Sequence, residues 1–123
     1  MGYYTQYTLE ARNINETDAK RLDDILNERD LIKYVFWDKY YDPGHKRVEY
    51  PSYEEQKWYD STKDMHEISK LFPEVVFELS GEGEEEGDLW REYFVNGHVE
   101  HCAGRIVYDK PKNIDWDSLL KIS

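Results

Sequence analysis

The stretch EVVFELSGEGEEEGDLWREYFVNG, from Glu74 to Gly97, most narrows what this chain can fold into. Val75, Phe77 and Leu79 alternate with Glu74, Val76, Glu78 and Ser80, the period of two that marks a strand with one buried face. Leu89, Tyr93 and Val95 alternate in the same way with Trp90, Glu92 and Phe94, so a second strand, covered on both faces, is expected. Between them Gly81, Gly83 and Gly87 offer left-handed backbone positions for a turn or bulge, and Glu82, Glu84, Glu85, Glu86 and Asp88 load that turn with charge. The expectation is a β-hairpin with an anionic tip.

The rest of the chain supplies elements that such a hairpin can join. Tyr3, Tyr7, Leu9 and Ala11 share one face of an N-terminal strand, and Asn15 or Thr17 can cap a helix in which Ala19, Leu22, Ile25 and Leu26 recur at helical spacing. Residues 33–38, KYVFWD, read as a short strand. Residues 39–53 carry Pro43, Gly44 and Pro51 and show no strand or helix period, so a long loop is expected there, partly exposed and rich in tyrosine. Residues 54–59 read as a further strand. Asp60 or Ser61 can cap a helix over 62–71 that turns Met65, Ile68, Leu71 and Phe72 inward and stops at Pro73. Asn96-Gly97 is a strong hairpin-turn signal, leading into a strand over 98–109 with Gly104 as a bulge. A short terminal helix or extension over 114–122 follows.

Strands alternating with two amphipathic helices in this order predict a single α+β domain over 1–123. The expected architecture is a ferredoxin-like split βαβ arrangement: an antiparallel sheet of five to six strands with helices 17–30 and 61–72 on one face. A chain of 123 residues has room for one core and no separate catalytic lobe. Eleven tyrosines and four tryptophans exceed what such a core absorbs, which directs some rings to a binding surface. Trp58 is expected in the core.

Charge is unevenly placed. Residues 74–92 hold eight acids against one base, Arg91, so −7 of the chain's net −11 falls there. This balance argues against a binder of duplex nucleic acid or of an anionic membrane and favours a partner protein with a basic surface. The acidic tip has three readings: a surface that imitates nucleic-acid phosphates, a divalent-metal loop, or a solvated hairpin protected from edge pairing by its charge. The metal reading lacks the spacing of an EF-hand, and no metal or cofactor is expected. His98 and His101, three apart in a strand, point to opposite faces, and no nucleophile or second group accompanies His66, so no enzymatic activity is expected. Cys102 has no basic partner that would activate it and is expected to be a buried thiol. One cysteine, no signal peptide and no long apolar run together predict a soluble cytoplasmic protein.

From Lys57 to Gly97 the chain resembles a family of small, mostly uncharacterised, ferredoxin-like proteins of bacteriophages and mobile elements. Trp58-Tyr59-Asp60, Asp64-Met65, Ser69, Phe72-Pro73, Phe77, Leu79, the run Gly81 to Glu85, Gly87-Asp88, Trp90, Tyr93-Phe94 and Gly97 carry the resemblance. It implies a viral or mobile-element origin, and small acidic proteins of that origin commonly block host defence or nucleic-acid-processing proteins. The expected function is binding of a host protein, as an inhibitor of a nuclease-based defence such as CRISPR. The expected contacts are Glu82, Glu84, Glu85, Glu86 and Asp88 of the tip and Tyr40, Tyr41, Arg47 and Tyr50 of the long loop. Two alternatives stand beside it: a protein that sequesters a nucleotide signal among the aromatics of residues 40–59, and a homodimeric scaffold without ligand.

Overall fold

A computed structural model describes residues 4–35, 40–51, 56–85 and 87–105 of the chain. Glu86, Tyr53, residues 36–38, the start of the expected 54–59 strand and the terminal segment 114–122 lie outside these ranges, as does the side chain of Tyr40. Among the described residues the elements run β1 (Thr5–Arg12), α1 (Glu16–Glu28), α2 (Ile32–Val35), β2 (Tyr40–Asp42), β3 (Arg47–Tyr50), α3 (Ser61–Leu71), β4 (Val76–Gly83), β5 (Leu89–Val95) and β6 (His98–Ala103).

The six strands form one antiparallel sheet in the order β2-β3-β1-β4-β5-β6. The protein is therefore α+β, with β3 lying between β1 and β2 and β1 between β3 and β4, so that two split βαβ units interleave. The remaining strands, β5 and β6, extend the sheet as a meander. Leu9 stands opposite both Tyr50 and Leu79, and Ala11 opposite both Val48 and Phe77, so one row after another of apolar residues crosses the sheet on the same face. Ala19, Leu22 and Leu26 of α1 and Met65 and Ile68 of α3 join that face in one buried cluster, placing both helices on the same side of the sheet as expected.

Local chemistry accounts for the helix ends. The Asn15 side chain accepts the Asp18 N–H at 2.8 Å, capping α1, a contact worth about 1 kcal/mol. At the other end Asp30 adopts φ 56°, and the N–H groups of Asp30 and Leu31 donate to the carbonyls of Asn27 and Leu26. That is a Schellman closure with its apolar contact between buried Leu26 and Leu31.

This closure corrects the described part, residues 33–35, of the expected strand over 33–38. The chain leaves α1 already turned, and Ile32–Val35 makes one further helical turn that stacks the Tyr34 ring on Trp58 at 5.1 Å and 6°. Period-2 alternation over so few residues was overridden by tertiary stacking.

The expected long loop over 39–53 is likewise corrected: it contains the hairpin β2–β3. Asp42 organises its turn, its carboxylate accepting the N–H groups of Gly44 (3.0 Å) and His45 (3.3 Å) and facing the His45 Nδ1 at 2.6 Å, while Lys46 takes φ 51° to close the hairpin.

Four smaller expectations also change. Within the described part of 54–59, only Gln56 pairs, in an isolated bridge to Thr5. The Asp60 side chain does not cap α3. Leu71 is 38% exposed, because the inward position at the end of α3 belongs to Ser69, whose hydroxyl donates to His66 O (2.8 Å) and accepts from Gly97 N (2.9 Å). Of the expected strand over 98–109, residues 98–103 form β6, Gly104 just beyond it donates its N–H to Leu89 O, and 106–109 lie outside the described residues.

Candidate functional site

Among the described residues no element covers the face of the sheet opposite the helices, and the side chains of this open face fall into rows set by the strand register. Glu10, Glu78, Tyr93 and Glu100 make one row, Thr8, Ser80, Arg91 and Cys102 the next, and Gln6, Glu82 and Leu89 a third. Glu78 belongs to this polar face yet is only 6% exposed, because long neighbours close over it. The Arg12 Nη2–H donates to it at 3.0 Å, the Tyr93 hydroxyl donates at 2.8 Å, and the Arg91 guanidinium stands 3.6 Å away. Glu10 extends the network, receiving Arg12 Nε–H at 2.9 Å and Arg47 Nη1–H at 3.2 Å. The Arg12 hydrogen bond, joined by the charges of Arg12 and Arg47, holds the Glu10 carboxyl below its usual range. The same partnership raises the Arg12 guanidinium further above its ordinary value.

Next to this network the floor drops. Thr8 and Ser80 are short, and Glu82, Leu89, Arg91 and Tyr93 rise around them to leave a groove of about 530 Å³ on the open face. Arg105 and Cys102 line its outer side. Cys102 is exposed on β6, correcting the expected buried thiol: the register with Arg91 places it on the face opposite the helices.

The anionic tip closes the end of the β4–β5 pair beside the groove. Gly83 N–H donates to Asp88 O, Asp88 N–H to Glu85 O, and Gly87 takes φ 83°, so one of the three glycines serves the left-handed geometry. Gly81 instead lies within β4 beneath the Trp90 ring, where any Cβ would collide with the indole. Glu82, Glu84 and Glu85 are exposed and Asp88 is half-buried. Glu84 Oε1 accepts the Tyr4 N–H at 3.0 Å, and among the described residues no base pairs with Glu82 or Glu84. The eight acids of residues 74–92 are thus not one patch. Glu78 is neutralised on the open face, whereas Glu92, 8% exposed on the helix side, accepts the Thr62 hydroxyl at 2.6 Å and faces His101 Nδ1 at 3.0 Å.

The residues expected to complete the tip's binding surface do not gather there. Tyr50 is fully buried beneath α1, and burial raises its hydroxyl pKa. Tyr41 is half-buried with its hydroxyl donating to Ile14 O at 3.1 Å. Arg47 faces the opposite side of the sheet and is engaged with Glu10. Thr5 registers with Gly83 and Arg12 with Arg47, so the acidic tip and the β2–β3 turn sit at opposite ends of β1, roughly 25 Å apart at the rise of a strand. They do not form one contiguous surface. Of the aromatics in residues 40–59, Tyr41, Tyr50 and Trp58 are taken up in packing, Trp58 with its indole N–H donating to Asp64 Oδ2 at 2.7 Å and its backbone bonded to the Tyr7 hydroxyl, whereas the Tyr59 ring is 71% exposed and Tyr53 and the Tyr40 side chain lie outside the described residues.

Sequence reasoning missed the Glu10–Arg12–Glu78–Tyr93 network. Its signal, an acid and a base two apart in one strand and an acid and an aromatic on the polar faces of two others, becomes legible only once the register is known. His101 stacks on Trp90 at 6.0 Å, and no cluster of three or more His, Cys, Asp or Glu able to hold a metal occurs among the described residues. No helix among the described residues is long and apolar enough to cross a membrane. Comparison with known proteins finds no family model, no curated protein and no solved structure that matches this chain.

Proposed function

We propose that this chain is a bacteriophage or mobile-element protein that works in the host cytoplasm by binding, not by chemistry on a substrate. Its contact surface is the acidic tip of the β4–β5 hairpin, and its partner is a host protein with a basic cleft that normally receives nucleic acid, such as a CRISPR nuclease. The observation that supports this most is the division among the acids. Glu10, Glu78 and Glu92 are held by partners on the sheet, while Glu82 and Glu84 stand at the end of a hairpin without a base among the described residues. Exposed carboxylates on a hydrogen-bonded turn offer a preformed negative surface, which gives long-range attraction and a high on-rate toward a basic cleft.

The test is an immunity assay in a bacterium whose CRISPR system targets an infecting phage. Expression of the wild-type chain should restore plaques, and the Glu82→Gln, Glu84→Gln, Glu85→Gln, Glu86→Gln variant, expressed to the same level, should not. Full immunity in the presence of the wild-type chain removes the CRISPR target. Equal plaque recovery with both forms removes the tip as the contact surface.

A further inference from the structure

We infer that the open-face groove beside β5 is a binding site for a small phosphate-bearing organic molecule of nucleotide size, with Arg91 as the residue that holds the phosphate. This goes beyond the protein-binding reading and stands or falls without it.

The inference starts from how three arginines of one sheet face spend their donors. Arg12 gives hydrogen bonds to Glu10 and Glu78, and Arg47 gives one to Glu10. Arg91 is different. Its nearest carboxylate oxygen, on Glu78, is 3.6 Å away, beyond hydrogen-bond reach, its side chain is 63% exposed, and among the described residues its guanidinium donates no hydrogen bond. A rigid fork of N–H donors is therefore presented at the groove wall without an acceptor.

The floor beside it matches that need. Ser80 is the direct cross-strand neighbour of Arg91, and Thr8 the direct neighbour of Ser80, so two hydroxyls lie in line with the guanidinium along one row. Neither hydroxyl donates to or accepts from another described side chain. A carboxylate has two oxygens, both taken by a bidentate guanidinium, whereas a phosphate keeps a third oxygen for a hydroxyl on the floor. The Tyr93 hydroxyl, by contrast, is committed to Glu78 and only shapes the wall.

The remaining lining sets the rest of the ligand. One row nearer the tip lie Gln6 and Glu82, an amide and a carboxylate suited to the sugar hydroxyls or the amino group of a base. Glu82 repels a bare anion at its own end, so the phosphate belongs at the Arg91 end and a hydrogen-bond donor at the other. Leu89 and the ring of Tyr93 supply apolar area, and about 530 Å³ lies within the range of sites that take small organic ligands.

The test is titration of the full chain, followed by amide chemical shifts and by calorimetry in low salt, with adenosine 5′-monophosphate, adenosine and inorganic phosphate as probes. The expected result is saturable binding of the nucleotide, weaker binding of inorganic phosphate and none of adenosine, with shifts confined to β1, β4, β5 and β6. Arg91→Gln should weaken nucleotide binding by about tenfold or more, and Thr8→Val by a smaller factor. Ser80→Leu, which fills the floor without touching the Glu78 network, should block it. Circular dichroism and melting confirm that each variant is folded, and the three substitutions are independent, so one that fails to fold leaves two that decide. Absence of nucleotide binding at millimolar concentration overturns the inference, as does binding that survives the folded variants. Adenosine binding as tightly as its phosphate overturns the role of Arg91, and inorganic phosphate binding as tightly as the nucleotide overturns the organic part.

Discussion

The Trp90 indole lies directly on the backbone of Gly81, its cross-strand partner, so that the glycine's missing Cβ is the space the ring occupies. Gly81→Ala should therefore destabilise the fold by about 1–3 kcal/mol through overpacking. Trp90→Leu should remove most of that penalty in the double variant. Urea denaturation of the four members of this cycle measures the coupling, and additive effects would show that the close approach is not what the glycine is for.

Tyr50 and Trp58 are both fully packed, one beneath α1 and the other between Tyr7 and Tyr34. Trp58→Ala should cost roughly 3–5 kcal/mol, and Tyr50→Ser a comparable amount, because each empties a core site. Tyr59→Ser, at a ring 71% exposed, should change stability by less than about 0.5 kcal/mol. Midpoints of chemical denaturation give the ranking.

Glu10 titrates below its ordinary value because Arg12 and Arg47 hold its charged form, so the folded state binds this proton less readily than the unfolded chain. Its contribution is then fully present above the ordinary carboxyl value of 4.5 and is lost as pH falls through the depressed folded value. The stability gap between wild type and Glu10→Gln should be widest above that pH and should close as acid is added. A gap that stays constant down to acid unfolding would contradict the ion-pair account.

Asp30 holds a left-handed conformation at the end of α1 that glycine adopts without strain. Asp30→Gly should raise stability by roughly 0.5 kcal/mol despite losing the exposed pair with Lys33, which contributes little. Asp30→Ala should lower it. Thermal melts of the two variants against wild type decide the sign.

Changing Glu82, Glu84, Glu85 and Glu86 together to Gln should leave folding stability within about 0.5 kcal/mol of wild type, since Gln preserves the acceptor for the Tyr4 N–H and Glu82, Glu84 and Glu85 are exposed. Denaturation in low and high salt provides the check, and a large loss would show that the tip is structural.

What the sequence disclosed and what it withheld follow from where each preference is decided. The alternation of Val75, Phe77 and Leu79 and the helical spacing of Ala19, Leu22 and Leu26 are local, and β4, β5, α1 and α3 were legible from them. Asn96-Gly97 announced its turn, with both residues at positive φ. The hairpin of residues 40–50 was hidden because its four-residue turn is organised by the Asp42 side chain and its second strand contributes Val48 and Tyr50 to a face that only β1 completes. Tyr34 read as strand because nothing local reveals that Trp58 will stack on it. For the candidate site, the tip was legible as charge, but the groove was not: Thr8, Ser80 and Arg91 are far apart in sequence and are united by register alone.

The interleaving of the sheet has a consequence for how the chain comes off the ribosome. β1 is synthesised first but lies in the middle of the sheet, and Leu9 must wait for Tyr50 and then Leu79, about 40 and 70 residues downstream, before both its edges are satisfied. At translation rates of about 5–20 residues per second, Tyr7, Leu9 and Ala11 spend several seconds with no permanent neighbours. The β4–β5–β6 meander, in contrast, closes on partners made moments before. A nascent chain of this design therefore exposes its stickiest strand longest, and the capped helix α1, emerging directly behind it, is the first cover available to keep it from other chains.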